Sequence, residues 1–227
     1  MIGIIGGGFG LYGWLPALCQ FYDDVWISIE SRHKEKFIKR PELQQYRDRI
    51  DWVDSVDEII NDCAILIFAI PPNQVYGYLD KITNSEWVEK IIVEKPICET
   101  PEKSEQFIKA IEDKGIKICS SYLFIYTDWF KELDPNKKYS LMWIKGNPND
   151  NWKSNSNLGG GEIFYNIHLL SIQSENIKSR FIYSERPEVD VLIICDLETW
   201  RFNHPKVFPL STNEELIVEF LLIHYRQ

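Results

Sequence analysis

The chain has 227 residues, 44% of them hydrophobic, enough to bury one sizeable core or two modest ones. Its 34 acidic side chains outnumber 25 basic ones, for a formal charge of −9, and the pI is near 5.0. That balance excludes a nucleic-acid backbone or an anionic membrane as the main partner, because both demand a basic surface, and leaves a small-molecule ligand as the expectation.

Over the first 118 residues, short apolar runs alternate with longer amphipathic stretches, the pattern of βαβ units feeding a parallel sheet covered on both faces. Strands are predicted at 2–5, 25–29, 51–53, 64–70, 91–93 and 116–119. After the first of them, Leu11, Trp14, Leu15, Leu18 and Tyr22 recur at helical spacing, with Pro16 demanding a kink or a late start. A further helix is fully punctuated. Thr100 is its N-cap, Pro101 its first residue, Phe107, Ile108 and Ile111 its apolar stripe, and Gly115 its stop. Aromatic segments follow at 122–130 and 139–144, then a polar loop at 146–157 and a glycine triplet at 159–161. A helix at 162–173, strands near Phe181 and at 189–196, and a closing helix at 213–225 complete the expectation. The fold class is α/β: an N-terminal dinucleotide-binding Rossmann domain over 1–120 and a smaller α+β domain over 121–227.

Five cysteines, odd in number and widely spaced, read as buried reduced thiols and not as a disulfide framework or a metal site. Met1 runs almost directly into the first strand, and no apolar run reaches the length of a membrane span, so the expected compartment is cytoplasmic.

The chemistry gathers at strand ends. Gly6, Gly7, Gly8, Phe9 and Gly10 close the first strand and open a helix, where backbone N–H groups can face a pyrophosphate; Gly6, Gly8, Phe9 and Gly10 are the expected contacts. Leu11 stands where a strict G-x-G-x-x-G pattern has its third glycine. Past the second strand, Ser31, Arg32 and Lys34 suit the 2′-phosphate of NADP, whereas the Glu30 carboxylate would suit the ribose hydroxyls of NAD. NADP is therefore the expected cofactor, with NAD as the alternative. Pro71, Pro72 and Asn73 leave the fourth strand, and Glu94, Lys95 and Pro96 leave the fifth. Both groups fall at the carboxyl edge of the sheet, where ligands of doubly wound folds bind and where a lysine can exchange a proton with substrate.

Together with the triplet Gly159 to Gly161, seven residues ahead of His168, these motifs resemble the glucose-fructose oxidoreductase and inositol dehydrogenase family (Gfo/Idh/MocA), in the family's order over roughly residues 1–170. The resemblance implies hydride transfer between NAD(P) and a sugar or nucleotide-linked sugar, with Lys95 beside the nicotinamide, His168 as its partner in proton transfer, and a cis peptide before Pro96. On the predicted helix at 162–173, Tyr165 lies one turn from His168 and joins the candidate catalytic set. Trp152, Lys153, Asn155 and Asn157 are further candidates for sugar contacts.

The chain also departs from that family. Phe164 and Tyr165 stand where an acid commonly precedes the histidine, Gln74 and Val75 where a histidine often follows the Pro-Pro turn, and about 100 residues remain for the second domain. A non-catalytic, dinucleotide-binding regulator of the same fold is thus the rival to the enzyme. A homodimer is expected, formed through an apolar sheet face carrying Val189, Val191, Leu192 and Ile193.

Overall fold

The computed structural model describes residues 1–122, 140–143, 152–160, 178–182, 192–196, 207–209 and 216–220. They fall into two compact units, one of residues 1–121 with 157–159 and the other drawn from 122–156 and 160–227.

In the first unit, strands β1 (Ile2–Ile5), β2 (Ile27–Glu30), β3 (Ile50–Val53), β4 (Ile65–Phe68), β5 (Lys90–Glu94) and β6 (Lys117–Ser121) form one parallel sheet in the order 3-2-1-4-5-6. Its register sets Ile4 beside Ile29 and Ile67, and Glu94 beside Ser121. The order reverses between β1 and β4, and the crevice at their carboxyl ends is where such sheets take ligands.

Nearly continuous apolar strands are explained by cover on both faces. On one face Ile4, Ile27, Ile29 and Ile67 meet Leu11, Leu15, Leu18 and Phe37. On the other, Ile5, Leu66, Phe68, Ile91 and Val93 meet Ile59, Ile60, Ile82, Phe107 and Ile111. Leu11 lies in a π-helical turn (Gly10–Trp14), and the rest of this cover comes from the helices α1 (Leu15–Phe21), α2 (Lys34–Ile38), α3 (Val56–Asp62), α4 (Pro72–Val75), α5 (Leu79–Thr83) and α6 (Pro101–Asp113).

Local chemistry fixes their ends. Thr100 Oγ1 accepts from the Lys103 N–H at 3.2 Å, Pro101 opens α6, and Gly115 bonds back to the Glu112 carbonyl. Ser55 caps α3 through the Glu58 N–H and donates to the Glu58 carboxylate at 2.8 Å, a reciprocal pair at the S-x-x-E spacing. Pro16 delays α1 as expected: a π-helical turn at Gly10–Trp14 comes first, and the proline sits in the first turn of the α-helix, where no N–H is needed.

In the second unit, β7 (Ser140–Trp143), β8 (Lys178–Ile182), β9 (Leu192–Asp196), β10 (Val207–Pro209) and β11 (Leu216–Phe220) are described as backbone. β11 pairs parallel with β7 and antiparallel with β10, while β8 and β9 pair antiparallel. The strands expected near Phe181 and ending at Asp196 are present. The closing helix expected at 213–225 is not: Leu216–Phe220 is a strand. A short apolar run carries helical and extended patterns equally well, and pairing on both sides decides it. The expected polar loop at 146–157 contains short 3₁₀ turns at Trp152–Ser154 and Ser156–Leu158. The helix expected at 162–173, with Tyr165 and His168, lies outside the described residues, as do Val189 and Val191.

Candidate functional site

The glycines after β1 divide three roles. Gly6 takes φ +130°, and a Cβ there would overlap the Ala69 carbonyl, so the tight turn admits no side chain. A Cβ on Gly8 would meet nothing within 4 Å, so this part of the backbone faces open space that a pyrophosphate can approach. A Cβ on Gly10 would stand 2.7 Å from Ile4 Cγ2. Gly10 thus permits the close packing of helix on strand that a strict pattern assigns to the next residue, here the buried Leu11. The π-helical turn beginning at Gly10 winds in more residues per turn than an α-helix and takes up that one-residue displacement. The loop's shape therefore fits a dinucleotide despite the irregular spacing.

Phe9 packs on the π-helical turn that follows it. Its ring lies over Gly13 and meets Tyr12 edge-on, with centroids 5.5 Å apart. Arg40 in turn lies 5.1 Å from the Tyr12 ring centroid. Burial raises the Tyr12 pKa, Arg40 opposing and Glu94 adding to the shift.

At the end of β2, the Glu30 side chain is 9% exposed and accepts from Arg32 Nη2 at 2.6 Å. Arg32, expected to await a 2′-phosphate, is thus drawn onto Glu30 and balances its charge. Ser31 Oγ reaches Asp54 Oδ1 at 3.5 Å, and Lys34 begins α2.

Beyond β4, Pro71 precedes α4 and Pro72 starts it, with Pro72 buried. Asn73 Oδ1 is buried and has no hydrogen-bond partner among the described residues. Gly159 belongs to this unit. It takes φ +80°, and a Cβ on it would stand 2.6 Å from Pro72 Cβ and 3.0 Å from Glu99 Cα, so the first member of the triplet is a close-contact glycine.

β5 delivers the ionisable pair. Lys95 is 7% exposed and the Lys95–Pro96 peptide is cis, as the family resemblance implies. Glu94 accepts from the Trp14 indole N–H at 2.8 Å. Burial raises the Glu94 pKa; the bond from Trp14 and the charge of Lys95 pull the other way without reversing the shift. Trp14 reads in the sequence as a packing residue of the first helix, and no local pattern pairs it with Glu94.

Of the other sugar-contact candidates, Trp152 and Lys153 are half-buried and Asn155 exposed within the second unit, and Asn157, in the first, is exposed. Among the described residues, no group of three or more His, Cys, Asp or Glu side chains could hold a metal ion, and no helix is long and apolar enough to cross a membrane.

A 3-2-1-4-5-6 sheet with a glycine turn at its switch point and a buried lysine beyond β5 defines a Rossmann-type dinucleotide-binding protein. The profile of the oxidoreductase family with an NAD-binding Rossmann fold, GFO_IDH_MocA, matches residues 1–122. The chain belongs to that family.

Solved structures share the fold at low identity. A super-repressor mutant of Gal80p from Saccharomyces cerevisiae is 12% identical at TM-score 0.62, the match covering 86% of this chain and 61% of that one. The WlbA dehydrogenase from Chromobacterium violaceum, in complex with NADH and UDP-GlcNAcA, is 12% identical at TM-score 0.60, with 84% and 60% covered. Biliverdin reductase from Synechocystis sp. PCC 6803, with biliverdin and NADP⁺, is 12% identical at TM-score 0.55, with 83% and 64% covered. The chain thus spans about three fifths of the length of these proteins. No curated protein sequence matches it significantly.

Proposed function

We propose that the protein is an NADP-dependent oxidoreductase acting on a sugar or nucleotide-linked sugar. The observation that carries this reading is Lys95, an amine held buried after β5 at the carboxyl edge of the sheet. A surface lysine serving solubility would be solvated; one kept here has a proton-transfer role.

The cofactor, when bound, supplies or accepts the hydride. Gly6, Gly8, Phe9 and Gly10 would hold its pyrophosphate, and Pro71, Pro72, Asn73 and Glu94 would border the nicotinamide end. Because Arg32 cancels the Glu30 charge, a 2′-phosphate meets no net repulsion at the ribose corner, which supports NADP. Lys95 would exchange a proton with the substrate oxygen, with His168 assisting as the family resemblance implies and Tyr165, three residues before it in the sequence, as a further hydrogen-bond donor. We place it in the cytoplasm as a homodimer.

The test is cofactor absorbance change with keto and hydroxy forms of nucleotide-linked sugars. Turnover of any of them supports the enzyme. Tight NADP binding with no turnover across the panel would favour the second reading, a dinucleotide-dependent regulator, which the likeness to Gal80p and the missing acid before His168 support.

A further inference from the structure

His33 is a buried titratable side chain that the proposed reaction does not use. It ends the 3₁₀ turn (Ser31–His33) after β2 and is 9% exposed. Gly7 has no side chain, and the imidazole fills the space of one: a Cβ on Gly7 would overlap Nδ1, Cγ and Cε1 of His33. The ring therefore rests on the backbone of the dinucleotide loop. Its other nitrogen, Nε2, is buried without a hydrogen-bond partner and stands 3.8 Å from Glu30 Oε2. That oxygen already accepts from Arg32. Among the described residues, three charged groups act on the ring, Glu30 on β2, Arg32 in the turn and Lys36 on α2, while the loop offers backbone. Burial lowers the His33 pKa, Arg32 and Lys36 lower it further, and Glu30 opposes them. The ring is therefore neutral at physiological pH.

We propose that His33 is a specificity-determining residue of the dinucleotide site: on gaining a proton it binds Glu30 through Nε2–H, releases Arg32 toward a 2′-phosphate, and raises the preference for NADP over NAD as pH falls. This rests on the dinucleotide-binding reading. With neutral His33, the charges of Glu30 and Arg32 cancel; with protonated His33, the corner gains one positive charge. NAD carries a hydroxyl at that position and gains little from it, whereas a phosphate gains directly. By linkage, NADP must raise the His33 pKa more than NAD does.

The experiment measures Kd for NAD⁺ and NADP⁺ by calorimetry, from about pH 8 down to about pH 4.5, a range that reaches well below the ordinary histidine pKa because that of His33 is lowered. The 2′-phosphate also gains a proton near pH 6, which weakens NADP⁺ binding at low pH and works against the effect. His33→Gln keeps a polar side chain without titrating and measures that background. The expected result is that, across this range, the ratio Kd(NAD⁺)/Kd(NADP⁺) changes in favour of NADP⁺ by about 5-fold or more in the unmodified protein relative to His33→Gln. The His33 imidazole, followed by NMR, should titrate at higher pH with NADP⁺ than with NAD⁺. Parallel pH courses in the two proteins, or an imidazole indifferent to which dinucleotide is bound, would overturn the inference while leaving dinucleotide binding intact. Failure of both dinucleotides to bind at any pH would overturn both. If His33→Gln folds poorly, the imidazole titration of the unmodified protein decides alone.

Discussion

The indole of Trp14 donates a 2.8 Å hydrogen bond to Glu94, 80 positions further along the chain, and so ties the turn after the glycine loop to the end of the strand that precedes Lys95. The bond joins the expected pyrophosphate end of the site to its nicotinamide end. It also fixes a carboxylate whose burial raises its pKa.

A raised carboxylate pKa means that the native state holds a proton which the unfolded chain gives up. Between the ordinary Glu value and the raised one the native state binds more protons, so this group's contribution to stability is complete at low pH and is lost as pH rises through that window. Glu94→Gln keeps an oxygen for Trp14 and removes the titration. Urea midpoints should fall less steeply with rising pH in Glu94→Gln than in the unmodified protein, above about pH 4.5. Identical slopes would show that Glu94 is solvated.

Arg32→Ala leaves the Glu30 carboxylate buried and without its 2.6 Å partner. A 2′-phosphate would then meet an unbalanced negative charge. NADP affinity should drop by about 10-fold or more, the scale of a lost charge-assisted hydrogen bond, while NAD affinity changes little. Titration of both cofactors checks it, and equal losses for the two would show that Arg32 acts on the fold and not on the 2′ position.

The glycine roles predict a separation of stability from binding. Gly10→Ala brings a Cβ to 2.7 Å from Ile4 Cγ2 and should cost about 1–3 kcal/mol of stability by overpacking. Gly8→Ala meets nothing within 4 Å, so its stability should stay within about 1 kcal/mol while dinucleotide affinity falls. Thermal melts and titrations of both variants read the two effects. A Gly8→Ala protein that binds normally would place the pyrophosphate elsewhere.

The Rossmann unit was legible because its signals are local. Apolar runs marked six strands to within a few residues, and Thr100, Pro101 and Gly115 marked α6 by capping chemistry alone. The closing segment has a helical pattern in sequence yet forms a strand, because 216–220 owes its conformation to β7 and β10, partners that no local pattern reveals. The site divides the same way. Gly6, Gly8, Gly10 and Lys95 were visible as motif members at strand ends. Trp14 against Glu94, Arg32 drawn onto Glu30, and His33 filling the space over Gly7 were not, because side-chain pairing depends on how separate strand ends and turns converge. Gly10 in the packing role shows the limit of spacing rules: a π-helical turn shifted the position by one residue, and only the backbone reveals it.

The strictest test of the proposed chemistry is Lys95. It is 7% exposed at the end of β5, beside a Glu94 whose own carboxylate is engaged by Trp14. Lys95→Met keeps most of the length and apolar stem of the side chain and removes the ammonium. With the dinucleotide held mainly by the glycine loop and the ribose corner, as proposed, NADP affinity should remain within a few-fold of normal. Proton transfer to or from the substrate oxygen would lose its carrier, so turnover should fall by about 10²-fold or more, appearing in kcat and kcat/KM alike. His168→Asn supplies the comparison. If His168 orients substrate, its loss should be milder than that of Lys95; if it is the main acid or base, the order reverses. Unimpaired turnover by Lys95→Met, measured with whichever substrate the absorbance screen yields, would remove Lys95 from the reaction and return it to a role in the buried packing of the β5 end.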